Sequence, residues 1–196
     1  MKRIIMMTAL AAISACAGQD VKPAEGSQTG FALSFFRNVN ALAEPDENIV
    51  VSPYSAGVVL SMLEAGAEGE TKVELDNALN GAYFGNKELE SGSNAVVEST
   101  NSVWISDNFS VRNRYVSLLE NDFGAFITTQ NFSDPATVQE INNWCSEHTS
   151  GKITEIIDRI GPDMVMILIN ALYFNAPWAS AFDTGLTRED TFHGRD

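Results

Sequence analysis

Cysteine and basic residues are scarce in this chain of 196 residues, and each scarcity excludes a class of protein. Two cysteines are too few for a disulfide scaffold or a four-cysteine zinc site. Twelve lysines and arginines against 26 acidic residues give a net charge of −14, with no basic cluster, so we expect no nucleic-acid partner. Hydrophobic residues make up 44% and charged residues 19%, which is the composition of a globular domain and not of a disordered chain.

Catalytic and cofactor-binding motifs are missing as well. The chain has two histidines, His148 and His193, and neither lies near a nucleophile elbow. It contains no zinc-protease, CxxC, phosphate-binding-loop or dinucleotide-glycine motif. Cys145 and His148 are three residues apart and could share a helix face, but two ligands do not make a metal site. We therefore predict a protein that is not an enzyme and that uses no metal or cofactor.

The first sixteen residues have the organisation of an export signal. Lys2 and Arg3 are basic, and residues 4–12 form an apolar stretch too short to span a bilayer. Residues 13–16 (ISAC) resemble a bacterial lipobox, in which the cysteine becomes the lipidated N-terminus. The alternative is an ordinary signal peptide that happens to contain a cysteine. We predict a signal peptide over residues 1–15 and an exported protein, attached to the cell envelope by a lipid on Cys16 or extracellular.

A flexible tether is predicted to follow the signal. Residues 16–30 carry glycine, proline, glutamine, serine and charge without apolar periodicity. We therefore predict that a single folded domain occupies residues 31–196.

Within that domain, apolar periodicity predicts helices interleaved with strands, which is an α+β fold. Ser52-Pro53 and Asp134-Pro135 are typical of an N-cap followed by proline at the first helical position. The predicted helices cover residues 31–42, 53–63, 73–79 and 115–123, with a fifth from residue 135 to a left-handed Gly151. The predicted strands cover residues 49–51, 103–105, 126–132 and 164–174.

One polar residue interrupts the last of these strands. The apolar run over residues 164–174 predicts burial on both faces, yet Asn170 lies in its middle. An unpaired buried amide costs about 1–3 kcal/mol, so this side chain needs hydrogen-bond partners. Ser52 and Ser55, at the start of the apolar helix, would fit. Alternatively, Ser52 only caps its helix and Asn170 meets water at a bend, and spacing alone does not decide between the two.

Three separated motifs resemble the serpin family, in the family's order. They cover the strand-to-helix entry, the helix across the main sheet, and the strand and crossing that follow it. They are residues 48–55 (NIVVSPYS), residues 141–144 (INNW) with 149–153 (TSGKI), and residues 170–174 (NALYF) with Trp178, Phe182 and residues 191–192 (TF). The resemblance runs from Phe31 to Asp196 and implies helices around a large central sheet that is incomplete at the C-terminal side.

The resemblance also implies roles for individual residues. Ser52, Ser55 and Asn170 match the family's shutter, a polar cluster beneath the centre of the main sheet, which would make the two serines the partners of Asn170. Trp178 matches the tryptophan of the breach, where a reactive loop begins to insert. Cys145 stands where the family usually has valine, which favours a small buried apolar side chain.

The function implied by the resemblance is inhibition of serine proteases, and in some members of cysteine proteases. A protease cleaves an exposed loop, and the loop then enters the sheet as an extra strand. By the family's order the reactive loop follows the residues present here, so this chain is expected to lack it. The alternatives are a non-inhibitory serpin that acts as a binding or chaperone-like surface lipoprotein, and an inactive truncated product.

Overall fold

The computed structural model describes residues 26–44, 48–85 and 95–191. Five α-helices, three strands and one short 3-10 helix lie within these ranges. The helices are α1 (Gln28–Leu42), α2 (Pro53–Gly66), α3 (Gly69–Leu79), α4 (Asn113–Phe123) and α5 (Pro135–Glu147). The strands are β1 (Val96–Ser106), β2 (Phe126–Gln130) and β3 (Met166–Asn175), and the 3-10 helix is Thr184–Leu186.

The predicted signal peptide, Cys16 and most of the tether lie outside the described residues. Of the helices in the described ranges, none has both the length and the apolar content needed to cross a bilayer.

The first helix begins inside the segment that was predicted to be a tether. Ser27 caps α1 by accepting a hydrogen bond from the N–H of Gly30 at 3.2 Å. Gly30 and Phe31 are buried, so the domain begins by Ser27 and the predicted boundary at residue 31 is wrong. The cap supplies the reason, because a serine hydroxyl satisfies an N–H group that the first turn leaves unpaired.

Helix α2 starts as predicted, at Pro53 behind an N-cap. The Oγ of Ser52 accepts from the N–H of Ser55 at 3.2 Å, and proline occupies the first turn. Residues 48–51, just before the cap, pair with no strand among the described residues, so the short strand predicted at 49–51 is not observed. A β-branched run forms a strand only where a neighbour satisfies its backbone.

The three strands form one mixed sheet in the order β2-β1-β3. β1 runs parallel to β2 and antiparallel to β3, and the β1–β3 register places Asn101 opposite Asn170. β1 is eleven residues long, whereas the apolar pattern predicted only residues 103–105. Within the described residues, β3 is hydrogen-bonded to a strand along one edge only.

Each face of the sheet carries its own apolar core. Val103 and Ile105 of β1 pack with α1, α2 and α4 on what we call the inner face. Trp104 of β1 and Ile169 of β3 pack with α5 on the outer face. Adjacent residues of a strand point to opposite faces, which is why Val103 and Trp104 belong to different cores.

Strand β3 is less buried than its sequence predicts. Only its central residues 169–171 are buried, and Phe174 is 67% exposed.

The fifth helix ends earlier than the predicted end at Gly151. Helix α5 stops at Glu147, although Gly151 does have the left-handed conformation, with φ of +71°. Its N–H bonds the carbonyl of Ser146, so the glycine belongs to the turn that leaves the helix.

Candidate functional site

A buried polar cluster lies at the centre of the sheet, around Asn170. The Nδ2 group of Asn170 donates to Ser99 Oγ and to Asn101 Oδ1, both at 2.9 Å. Asn101 in turn donates from Nδ2 to the carbonyl of Phe123 at 2.7 Å. A chain of hydrogen bonds therefore runs from the edge strand β3, across β1, to the last residue of α4.

This cluster faces the inner side of the sheet. Asn101 precedes Val103 by two residues and Asn170 follows Leu168 by two, and both apolar residues pack in the inner core. Asn170 and Asn101 are 4% and 5% exposed. The Oδ1 of Asn170 is buried and accepts no hydrogen bond from the described residues. Such an acceptor costs about 1–3 kcal/mol.

The two serines implied as partners of Asn170 bond to each other instead. Ser52 Oγ donates to Ser55 Oγ at 2.9 Å while it caps α2, and both residues are half-buried. Helix α2 packs against β3, but no direct hydrogen bond joins either serine to Asn170. The implied pairing is therefore corrected: Asn170 donates to side chains of β1, the strand that pairs with β3. The shutter role of Ser52, Ser55 and Asn170 stays a prediction.

Sequence reasoning missed Ser99 and Asn101. They lie in the polar run over residues 98–102, which lacks the apolar alternation of a half-buried strand. A clue was present, since Ser99, Asn101, Val103 and Ile105 follow period two into the apolar residues. Extending the predicted strand by that period would have placed both polar side chains on one face of it.

Trp178 lies three residues beyond β3 and is 73% exposed. Its ring meets that of Phe182 edge-on, with centroids 5.4 Å apart. Phe182 and Leu186 are also mostly exposed, so this stretch presents large apolar side chains without a covering layer among the described residues. The role at the breach stays a prediction.

The titratable side chains near the sheet are held in apolar surroundings. Cys145 is fully buried, as predicted, and burial raises the pKa of its thiol to about 11. The hydroxyl of Tyr115 donates to the carbonyl of Met62 at 2.7 Å, and burial raises its pKa to about 12. His148 stacks on Trp144 with ring centroids 4.3 Å apart.

No group of three or more metal-ligating side chains converges among the described residues.

The chain matches the family model described as serpin (serine protease inhibitor) over residues 26–196. An uncharacterized serpin-like protein of Methanosarcina acetivorans is 34% identical over 164 residues, which is 75% of this chain and 38% of the relative. Serine protease inhibitor 42Dd of Drosophila melanogaster is 32% identical over 162 residues, 75% of this chain and 44% of the relative.

Arabidopsis AtSerpin1 in its native stressed conformation has the same fold, with a TM-score of 0.76 and 28% identity over 90% of this chain and 49% of that one. The chain thus spans about half the length, or less, of the relatives that it matches.

Proposed function

This chain belongs to the serpin family, and from that premise we propose that the whole protein inhibits a serine-type or cysteine-type protease. The protease would cleave an exposed loop, and the loop would then add to the main sheet as a strand. By the family's order, that loop follows the residues present here. The chain described here would contribute the part of the main sheet to which the cleaved loop adds.

The observation that carries the proposal is the open edge of β3. Met166–Asn175 contains no charged residue and no proline, and in the described residues only its other edge is paired. Proteins usually protect a lasting edge strand with charges, prolines or bulges. An uncharged edge ten residues long favours a strand that is covered by another strand in the working protein.

The polar cluster gives that edge a fixed register. Ser99 and Asn101 hold Asn170 from the β1 side, so β3 stays attached to β1 whatever pairs with its other edge. Within the part of the chain that the structure describes, the Oδ1 of Asn170 still lacks a donor. A buried polar group with a missing partner is a feature that an added strand would relieve.

The test is a search for a covalent adduct. The whole protein is incubated with a broad set of serine and cysteine proteases, and the products are separated in denaturing detergent. We expect a band at the summed mass with at least one active protease and none when its nucleophile has been blocked beforehand. Cleavage of the protein by every protease without any adduct would indicate the non-inhibitory alternative and overturn the proposal.

We further propose that the protein is exported and carries a lipid on Cys16. The support is the basic start, the short apolar stretch and the ISAC segment of the sequence. A radiolabelled fatty acid should be incorporated into the wild-type protein and not into the Cys16→Ser variant. Export with signal cleavage but without label would favour an ordinary signal peptide.

A further inference from the structure

Strand β2 forms the edge of the sheet opposite to β3, and its far side is paired with no strand in the described ranges. Its five residues, Phe126–Gln130, include no charged residue and no proline. The carbonyl of Gln130 accepts from the N–H of Asp107, just beyond β1, at 2.9 Å. Because alternate residues of a parallel strand direct their backbone groups to the same side, Gln130 faces β1, whereas Ile127 and Thr129 direct theirs outward. This edge thus offers two N–H and two C=O groups to an added strand.

The side chains of β2 leave room for such a strand. Ile127 packs into the inner core, Thr129 is exposed, and the ring of Phe126 meets Trp104 edge-on. The register with β1 is continuous, so β2 has no bulge to turn its edge away. Its shortness limits the backbone hydrogen bonds, and we therefore expect an occupant to need a second source of attraction.

Charge supplies that attraction, because the chain around β2 is acidic throughout. Residues 115–151 contain no lysine or arginine. All the acidic residues of this range are exposed, and within the described part of the chain none is ion-paired. They are Glu120, Asp122, Asp134, Glu140 and Glu147.

Carboxylates lie near both ends of β2. At its last residue, the Nε2 of Gln130 donates to the Oε2 of Glu140 of α5 at 2.8 Å. Before its first residue, Glu120 and Asp122 occupy the last turn of α4. That turn holds no basic residue, although the negative end of a helix dipole favours a cation there. A cationic partner would correct this mismatch.

We propose that β2 binds an extended segment of another protein, which adds to the sheet beside Ile127 and Thr129 and carries lysine or arginine at both of its ends. The middle of the segment would make main-chain hydrogen bonds to β2, and its ends would pair with the carboxylates of α4 and α5. A second copy of this chain is disfavoured, because two copies of the same acidic edge repel each other. The site lies on the opposite edge of the sheet from β3 and does not depend on protease inhibition.

Binding of a designed peptide to the whole protein tests this site. The probe has paired lysines at both ends and alternating threonine and valine between them, and the control peptide has glutamates in place of the lysines. At low ionic strength, fluorescence anisotropy should give a dissociation constant at least about tenfold lower for the lysine peptide, and added salt should reduce the difference. Equal affinity of the two peptides would overturn the proposal.

Thr129→Pro separates strand addition from a general attraction to the acidic surface. Proline removes an outward N–H and leaves the bonds between β1 and β2 intact, which is why edge strands tolerate it. We expect the lysine peptide to bind about tenfold more weakly, because a hydrogen bond is lost and the ring obstructs the added strand. Thr129→Val keeps the N–H and is the matched control, with a change of less than about twofold. Unchanged affinity in Thr129→Pro would contradict strand addition.

A pair of double variants tests the contribution of the carboxylates. Asp122→Asn with Glu140→Gln removes one charge near each end of β2, and we expect about fivefold weaker binding at low ionic strength. Glu70→Gln with Glu74→Gln removes the same charge from exposed positions on α3 and should change the affinity by less than about twofold. Equal weakening by the two double variants would mean that the ends of β2 have no special role.

Hydrogen exchange of the whole protein decides the question if Thr129→Pro does not fold. The N–H groups of Ile127 and Thr129 should exchange quickly in the free protein and at least about tenfold more slowly with saturating lysine peptide. Slow exchange without peptide would mean that another part of the chain or a second copy already covers this edge, and it would overturn the proposal. Since no protease is used, failure here is independent of failure of the inhibition assay.

Discussion

Asn101 and Asn170 face each other across the antiparallel β1–β3 pair, and the amide of Asn170 donates to the amide oxygen of Asn101 at 2.9 Å. The contact joins the edge strand to the middle strand at a point where both side chains are buried. It also orients Asn101 toward the end of α4, through the bond to Phe123. Stability, register and helix placement are therefore linked at this one pair.

Removing either member of this pair should destabilise the protein by about 1–3 kcal/mol, because a buried polar partner is left unsatisfied. Asn101→Ala, Asn170→Ala and the double variant form a thermodynamic cycle, measured by urea unfolding. We expect a coupling of about 0.5–3 kcal/mol, as for residues in one network. Asn143→Ala, at an exposed asparagine, is the control and should change the free energy of unfolding by less than about 0.5 kcal/mol. If the double variant loses as much stability as the two single variants together, Asn101 and Asn170 are not coupled and the prediction is wrong.

Gly57→Ala should destabilise the protein although alanine is the better helix former. A Cβ at residue 57 would lie 2.6 Å from the ring of Phe84. That ring is 2% exposed and is held between Phe31 and Tyr54, so it has little room to move. Overpacking costs about 1–3 kcal/mol, whereas alanine gains at most about 1 kcal/mol over glycine.

Thermal unfolding checks the Gly57 prediction, with Gly161→Ala as the matched control. A Cβ at residue 161 meets nothing closer than 3.8 Å. We expect a lower Tm for Gly57→Ala than for Gly161→Ala. A Tm of Gly57→Ala at or above the wild-type value would mean that the ring of Phe84 moves to make room for the new Cβ, and it would contradict the prediction.

Cys145 should make stability fall at alkaline pH. Burial raises its pKa to about 11 in the folded state, from the ordinary value of 9.0. Folding therefore favours the protonated thiol, and this contribution is complete below about pH 9 and is lost as the pH rises toward about 11. Urea unfolding at a series of pH values should show a steeper loss for wild type than for Cys145→Ala. If wild type and Cys145→Ala lose stability equally as the pH rises, the loss comes from groups other than Cys145.

Asp134 should contribute about 1 kcal/mol to α5 through its side-chain cap. Its Oδ1 accepts from the N–H of Ala136 at 2.9 Å. Asp134→Ala should lower the free energy of unfolding by that amount, and Asp134→Asn should retain most of it. The neighbouring Ser133→Ala is the control, because only the backbone N–H of Ser133 makes the bond to Asn131 there. Equal effects of the alanine variants at 133 and 134 would argue against the cap.

The sequence by itself determined the helices whose signals are local. Ser52-Pro53 and Asp134-Pro135 predicted the starts of α2 and α5, and Gly124 predicted the end of α4, where it has the left-handed conformation. Caps, prolines and glycines act within one turn of the chain, so their effect can be predicted without knowing what packs nearby. Three separated motifs, one of them beginning at Asn170, likewise predicted the family and helices around a central sheet.

Only the tertiary structure decided the partners of Asn170. Ser99 and Asn101 lie about seventy positions away in the sequence and reach it through the β1–β3 register. The hydrogen bonds between Asn142 of α5 and the backbone of Ile156 and Ile157 were equally hidden, because an asparagine on a helix gives no sign of which backbone it bonds. Register and packing depend on residues far apart in the chain, and a shift of one position would turn Asn170 to the other face of the sheet.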